Sequence, residues 1–559
     1  MLRFLPKSRC FWSLILVLSF AAFLAADEKT AKVDKIFSPW DTTASPGAAL
    51  AIIKDGQIIY ERGYGLAKIE DDIVMTPSKI FDIASVSKQF TAACIALLAK
   101  QGKISLDDDV RTYIPEMPRY EKPVTIKHLI YHTSGLRDYC GLLELAGFRS
   151  GLDSTTAFEA LEIIYRQKRL NYLPGEEFSY TNTGYFLLGQ VVERVSGKSL
   201  NEFAQEHIFK PLGMSHTIYQ DDHTKIVKNR ATGYSPTDAG YKIDVSNWDQ
   251  TGDGNVFTSV EDLYLWDQAF YNNKLGKDLM DMLQTVGTLN SGRKLDYAFG
   301  LRISEYKGLK MVRHTGSWAG FRSVIVRFPE QKFSVICLAN LSSINPSGLS
   351  MKVADIYLAD VLKEPPQEET KKIEPVILSK QELEDKVGNY EEGRFHSWLS
   401  LTIKDDKLIM AGMGYPERPL VPLTKTTFQP QGRPDINFEF LAEVKGRPRQ
   451  AVLNDLGEEE IYNLTKAAPL VPLTPEKLKE YSGDYTSDEL LGATYRLIIE
   501  NGSLVIEFRS IPKKALQAMA PEKFTDGSHS LEFVRGKGKR ITGFKLSIDG
   551  AADIGFARK

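Results

Sequence analysis

The chain has 559 residues, 43% hydrophobic and 25% charged, a globular composition that excludes a disordered or fibrous polypeptide. That length exceeds what one hydrophobic core supports, so two to four domains are expected. The formal net charge is −2, and loss of the three N-terminal cations Arg3, Lys7 and Arg9 takes it to −5. No bulk attraction to nucleic acid or to an anionic membrane follows from such a balance.

In chain order, residues 1–26 come first. Three cations precede an apolar run, Phe11 to Ala26, that ends in small residues. This reads as a secretory signal peptide cleaved near Ala25 or Ala26, with an uncleaved anchor as the alternative. A secreted or periplasmic protein is expected. Ala48–Lys54 and Gln57–Gly63 are β-rich runs joined at Asp55-Gly56, a hairpin signal. Ser85 to Lys100 reads as a helix, apolar at Phe90, Cys94, Leu97 and Leu98 and stopped by Gly102. Phe158–Gln167, Gly184–Val195 and Val260–Tyr271 are further helical patterns, the last opening on Ser259 with Asp262 three residues on. Arg322–Phe328 and Phe333–Ala339 read as strands around the turn Pro329–Lys332. Strands at both ends with helices between predict one mostly antiparallel sheet, closed by N- and C-terminal segments.

A Pro- and charge-rich stretch begins at Lys363 and reads as a linker. Beyond it, short β runs separated by turn residues predict small barrels. This part is duplicated: Leu383…Gly388-Asn389-Tyr390 matches Leu478…Gly483-Asp484-Tyr485, and Phe428 matches Phe524. The expected division is a signal peptide over 1–26, a main domain over 27–362, a linker over 363–378, and all-β barrels over 379–467 and 468–559. Cys94, Cys140 and Cys337 make no disulfide framework, and Cys94 and Cys337 read as small buried hydrophobes.

Chemistry concentrates at three places. Ser85-Val86-Ser87-Lys88 sets a lysine three residues after a serine at a helix start. The two share a helix face, where a lysine can activate the hydroxyl as a nucleophile. The spacing alone is weak, because it recurs at Ser291/Lys294, Ser304/Lys307 and Ser510/Lys513. Tyr180-Thr181-Asn182 follows Pro174-Gly175 in a predicted loop; its phenol can relay a proton and its amide can hold a substrate carbonyl. His314-Thr315-Gly316 precedes Ser317, and Gly316 would let a strand approach a ligand closely. The N–H groups of Ser85 and Ser317 could form an oxyanion hole.

Several look-alikes read as structural. His128 and His132 have zinc-helix spacing but lack the adjacent glutamate. Asp249, Thr251, Asp253 and Gly254 imitate a calcium loop without its closing acid and read as a turn. Tyr271-Asn272-Asn273 reads as a helix end and Lys54-Asp55-Gly56 as a hairpin turn.

The joint order of the three motifs, with the phrases His132-Thr133-Ser134-Gly135-Leu136 and Tyr180–Tyr185, resembles the penicillin-recognising serine hydrolases, in particular the class C β-lactamase-like group. The resemblance covers about residues 35–360. It implies an α/β (α+β) β-lactamase/transpeptidase-like domain, an antiparallel sheet flanked by helices, here followed by two lipocalin-like barrels. It implies Ser85 as nucleophile, Lys88 and Tyr180 as base and proton relay, and Asn182, His314, Thr315, Gly316 and Ser317 as substrate-binding, with no metal and no cofactor. Small peptides, esters or β-lactams are the implied partners. The β-lactamases carry lysine where this chain has His314, which attracts a substrate carboxylate less. Esterases, D-aminopeptidases and some D-alanyl-D-alanine carboxypeptidases of the superfamily look similar in having His-Thr-Gly. A catalytic region followed by two barrels looks most like the D-aminopeptidase arrangement. The expected activity is acyl-enzyme hydrolysis of amide or ester bonds, with D-amino-acid peptides as the expected substrates. The alternatives are a slow-turnover binding or sensor protein, or a carboxylesterase or weak β-lactamase.

Overall fold

The computed structural model describes residues 28–363 and 376–559, apart from 394, 413–414, 434–435, 445–448, 456–457, 466–472 and 510. The expected signal peptide and most of the expected linker lie outside these residues. Contacts divide the chain into two compact units, one of residues 1–108 and 185–366, the other of residues 109–184 and 367–559. The segment 109–184 thus clusters with the C-terminal part.

The first unit is built on a six-stranded antiparallel sheet. Its strands are β1 (Ala48–Lys54), β2 (Gln57–Tyr64), β3 (Arg302–Tyr306), β4 (Leu309–Trp318), β5 (Phe321–Phe328) and β6 (Phe333–Ala339), in the order β3-β4-β5-β6-β1-β2. Strands β1 and β6 are apolar runs and pair with each other inside the sheet, Ala48 against Ala339 and Lys54 against Phe333. Their continuous hydrophobicity, rather than alternation, reflects burial on both faces. Edge strand β2 alternates exposed and half-buried residues along most of its length. The predicted closure of the sheet by its two chain ends is what forms.

Alternate residues divide between the faces. Leu50, Ile52, Val335 and Cys337 join a core with Val33, Phe37 and the helix Pro346–Tyr357. The opposite face packs against the helix Val260–Asn272, whose Ser259 cap accepts from the Asp262 N–H as the sequence predicts. From that helix Asp267 accepts from Arg327 Nε at 2.7 Å and Ser334 Oγ at 2.8 Å, while the Arg327 guanidinium lies 3.9 Å from the Phe270 ring centroid. The Asp267 and Arg327 side chains are both buried, so their charges are bearable only as a pair.

In the second unit, residues 109–184 form short capped helices, including Ile126–Ile130, Tyr139–Leu145 and Ala157–Tyr165. Ala157–Tyr165 is the predicted Phe158–Gln167 helix, shifted by one residue at its start and two at its end. The C-terminal part is two closed eight-stranded antiparallel barrels with strands in sequence order, Gly388 to Thr465 and Gly483 to Arg558. The duplication has matching physical detail. Each barrel follows a short helix capped by Ser379 or Thr474, with Leu383 or Leu478 buried. In each, the first-strand tyrosine donates to a carbonyl four residues back, Tyr390 to Lys386 at 2.9 Å and Tyr485 to Tyr481 at 2.8 Å. The barrel interiors are packed cores. The second is filled by Tyr481, Tyr485, Phe524, Phe533, Phe544 and Phe556 in mutual ring contact. Cys94 and Cys337 are free thiols, and both they and Cys140 are buried.

Replacing Asp267 with alanine strands the buried Arg327 guanidinium and is expected to cost about 3–5 kcal/mol. Chemical denaturation of D267A against wild type checks this, and the double variant D267L/R327M is expected to lose less than D267A alone.

Candidate active site

Ser85 does not open the α-helix itself. It lies in a 3₁₀ turn, Ala84–Ser87, that runs into α1 (Lys88–Lys100). In 3₁₀ geometry residues three apart eclipse. Lys88 Nζ therefore lies 3.0 Å from Ser85 Oγ. Lys88 is wholly buried, donates to the Asp253 carbonyl at 2.7 Å and lies 5.7 Å from the Tyr185 ring centroid. Ser85 keeps partial exposure.

The turn is held from several sides. Ala84 sits at φ +47°, a left-handed conformation that costs a non-glycine residue about 1–2 kcal/mol. Its N–H donates to Asp82 Oδ1 at 2.8 Å. Ser323 Oγ donates to the Ile83 carbonyl at 2.7 Å, and Ser87 Oγ accepts from the Val256 N–H at 3.0 Å. A Cβ at Gly316 would meet the Ile83 carbonyl oxygen at 2.2 Å. Glycine there lets β4, which carries His314 to Ser317, lie directly against the Ser85 turn. Below it, α1 is buried on nearly every side. Phe90 packs on Phe209 and Trp266, Gln89 accepts from Trp266 Nε1 at 3.0 Å, and Thr91 donates to the Gly252 carbonyl at 2.6 Å.

His314 is buried, while Thr315 and Ser317 are exposed. Its Nδ1 lies 2.7 Å from the Thr315 carbonyl, which can only accept, so Nδ1 carries the proton. Nε2 then accepts from the Tyr297 hydroxyl at 2.9 Å. Burial, then the nearby Lys88 ammonium, push the imidazole down to about 3. His314 is therefore neutral at physiological pH and presents no cation, which sharpens the contrast with a lysine at this position.

The second unit carries Tyr180 and Asn182. Tyr180 is exposed, and Asn182 is the first residue of the helix Asn182–Ser196 rather than part of the predicted loop before Gly184. Two residues that spacing alone marked as structural or passed over hold this segment. The His132 ring packs tilted against the Tyr180 ring with centroids 4.2 Å apart, and its Nδ1 accepts from the Thr181 N–H at 3.2 Å. Asp138 Oδ2 accepts from the Asn182 N–H at 2.6 Å and the Thr181 hydroxyl at 3.3 Å. The phrase His132–Leu136 is tied to the loop before Tyr180. The His132 carbonyl accepts from the Ser179 N–H, the Thr133 carbonyl from Gly175 and the Gly135 carbonyl from Asn171. Gly135 has φ +72°, and a Cβ there would meet the Tyr172 carbonyl oxygen at 2.0 Å. Only its co-occurrence with the Tyr180 motif signalled the role of this phrase.

The look-alikes resolve. His128 completes a capping box with Thr125. Asp249 binds His223 through both its backbone N–H and its ring, and the next residues form the loop whose Asp253 carbonyl meets Lys88. Asn273 ends its helix at φ +54°. Lys307 sits in a hairpin turn against Asp355. Ser510 lies outside the described residues.

The family model described as Beta-lactamase matches residues 33–359. The chain is 29% identical over 415 residues to the Penicillin-binding protein 4* of Bacillus subtilis, covering 68% of this chain and 87% of that protein. It is 29% identical over 346 residues to the D-aminopeptidase of Gluconobacter oxydans, covering 61% of this chain and 64% of that one. Among solved structures, the octameric penicillin-binding protein homologue from Pyrococcus abyssi superposes with a TM-score of 0.55 at 26% identity, over 78% of this chain and 99% of that one. The Ser85–Lys88 contact thus stands inside a matched region that spans more than half of the sequence, and the chain belongs to the β-lactamase family.

Proposed function

We propose that the protein is a secreted or periplasmic serine hydrolase that cleaves amide or ester bonds through an acyl-enzyme on Ser85, with D-amino-acid peptides as its substrate class. The observation that carries this reading is the buried Lys88 Nζ in contact with the partly exposed Ser85 Oγ. Ser85 Oγ attacks the substrate carbonyl carbon as its proton passes to Lys88 Nζ, which acts as base in its uncharged form. The new Oγ–C bond forms while the carbonyl π electrons move onto oxygen, which the N–H groups of Ser85 and Ser317 stabilise. Collapse breaks the bond to the leaving group, which departs with the proton relayed through Tyr180, and water then cleaves the acyl-enzyme. The joint role of Tyr180 and Asn182 with Ser85 rests on the order of the motifs in the chain. The D-peptide class draws on the D-aminopeptidase relatives. A neutral His314 favours substrates that need no carboxylate clamp at that position.

The Ser85→Ala variant is expected to fold normally and to lose turnover of a D-alanine anilide and a short-chain aryl ester by at least about 10³-fold, while wild type turns over a chromogenic cephalosporin far more slowly than either. Residual turnover in S85A, or no acylation of wild type by a fluorophosphonate, overturns the reading in favour of a binding protein. N-terminal sequencing of the exported chain is expected to begin near Ala26 or Asp27.

His314 makes a pH prediction. Its folded value of about 3 lies below its ordinary value of 6.5, so its neutral state stabilises the fold fully above about 6.5 and loses that contribution as pH falls toward 3. Asp82, raised by burial to about 6, runs the other way, losing stability as pH rises through that value. Comparison of H314Q with wild type isolates the histidine. The variant is expected to lose less stability between pH 6.5 and pH 4 in thermal melts, and the kcat/KM profile of wild type is expected to show no limb near 6.5 that H314Q abolishes.

A further inference from the structure

The second barrel grips the segment that carries Tyr180. Arg137 is fully buried, and its guanidinium donates to Glu489 Oε2 at 2.7 Å, to Gln167 Oε1 at 2.9 Å and to the Asp553 carbonyl at 3.1 Å. Glu489, on the 3₁₀ turn Asp488–Leu490 of the barrel, also accepts from the Lys168 N–H at 3.1 Å and the Gly555 N–H at 3.1 Å. Gln167 Nε2 donates to the Glu489 carbonyl at 2.9 Å. At the tip of the last barrel hairpin, the Gly550 carbonyl accepts from the Asp138 N–H and from Asn171 Nδ2, both at 3.0 Å, and Asn171 Oδ1 accepts from the Ala552 N–H at 3.0 Å. Tyr495, on the barrel strand Ala493–Glu500, donates to the Leu145 carbonyl at 2.9 Å.

The same two residues, Arg137 and Asp138, face the motif from their other sides. The Arg137 carbonyl accepts from the Thr183 hydroxyl at 2.7 Å, and Thr183 Oγ1 accepts from the Tyr139 N–H at 2.8 Å. The Asp138 carboxylate takes the Asn182 N–H with one oxygen and caps the helix Tyr139–Leu145 with the other. Asn171 lies in the loop that leads through Gly175 and Ser179 to Tyr180. The buried Arg137–Glu489 pair has one partner on each element, and such a pair is weak evidence of stabilisation by itself.

We infer that the second barrel is the seat of the Tyr180–Asn182 segment, with Arg137, Glu489 and Asn171 as positioning residues that set the phenol for proton delivery. Without that seat, the backbone from Thr181 to Thr183 keeps its bonds to Asp138 and His132 but loses what anchors them. This rests on the reading of Tyr180 as the proton relay. The barrel then governs the step in which a poor leaving group must be protonated, and not the reactivity of Ser85.

An amide and an ester with matched acyl groups separate the two. An anilide needs its departing nitrogen protonated, whereas p-nitrophenolate leaves without a proton. The kcat/KM ratio for D-alanine p-nitroanilide against the p-nitrophenyl ester is measured for wild type, Tyr180→Phe, Glu489→Gln and Asn171→Ala, with melting temperature and fluorophosphonate labelling of Ser85 recorded for each. Y180F is expected to lower the ratio by about 10²-fold, and E489Q and N171A by about tenfold, with Ser85 labelling within about threefold of wild type. N171A removes two barrel contacts without stranding a charge, so it carries the test where E489Q does not fold. An unchanged ratio in folded E489Q and N171A, beside a lowered ratio in Y180F, overturns the positioning role. An unchanged ratio in Y180F overturns the relay reading instead.

Discussion

The first unit is organised around burying the Lys88 side chain beside a hydroxyl that must stay reachable. An amine taken out of water must find partners, and here they are Ser85 Oγ and the Asp253 carbonyl. That requirement explains the surroundings. Helix α1 is buried almost all round because it delivers Lys88 into the interior. The loop before Val256 contributes backbone carbonyls to it, Gly252 to Thr91 and Asp253 to Lys88. The strained Ala84 turns the chain so that Ser85 faces out while Lys88 faces in. Strain of this kind persists only where neighbours over-determine it. Asp82, Ser323 and the bare backbone of Gly316 do so.

The same logic accounts for His314. A second ammonium beside Lys88 would add like charge in a buried place. The imidazole avoids that by staying neutral, with its tautomer locked between the Thr315 carbonyl and the Tyr297 hydroxyl. Tyr297 belongs to no sequence motif and is recognisable only through this contact. His314, on the strand that packs against the Ser85 turn, thereby adds no charge beside Lys88.

The barrels belong to this picture as packed bodies. Their interiors are filled with aromatic and aliphatic side chains, so the chemistry they contribute lies on their outer surface. The second barrel holds the segment 109–184 by one buried ion pair, Arg137 with Glu489, whose desolvation is costly. Buried charges of this sort couple residues far apart in the chain, which is why a C-terminal module and a loop more than 300 residues earlier form one compact unit.

Much was legible from the chain alone, because the relevant physics is local. The Asp55-Gly56 hairpin, the apolar runs of β1 and β6, the Ser259 cap and the repeat of Tyr390 by Tyr485 each follow from short-range backbone preference or periodic burial. The spacing of Ser85 and Lys88 also sufficed to bring them into contact, since any helical turn places such residues on one face. The residues that spacing could not assign act across long sequence distances. His132 read as a failed metal ligand, yet its ring packs against Tyr180. Asp253 read as part of a turn, yet its carbonyl receives Lys88. Asp138, Tyr297 and Glu489 carried no signal, because a hydrogen bond to a distant backbone leaves no periodicity behind. Sequence by itself determined the elements, the Ser85–Lys88 contact and the barrel repeat, which rest on periodic burial and on residues a few places apart. Tertiary structure alone decided the neutrality of His314, the seat of Tyr180 and the partners of Lys88, because burial and charge depend on what folds over a residue.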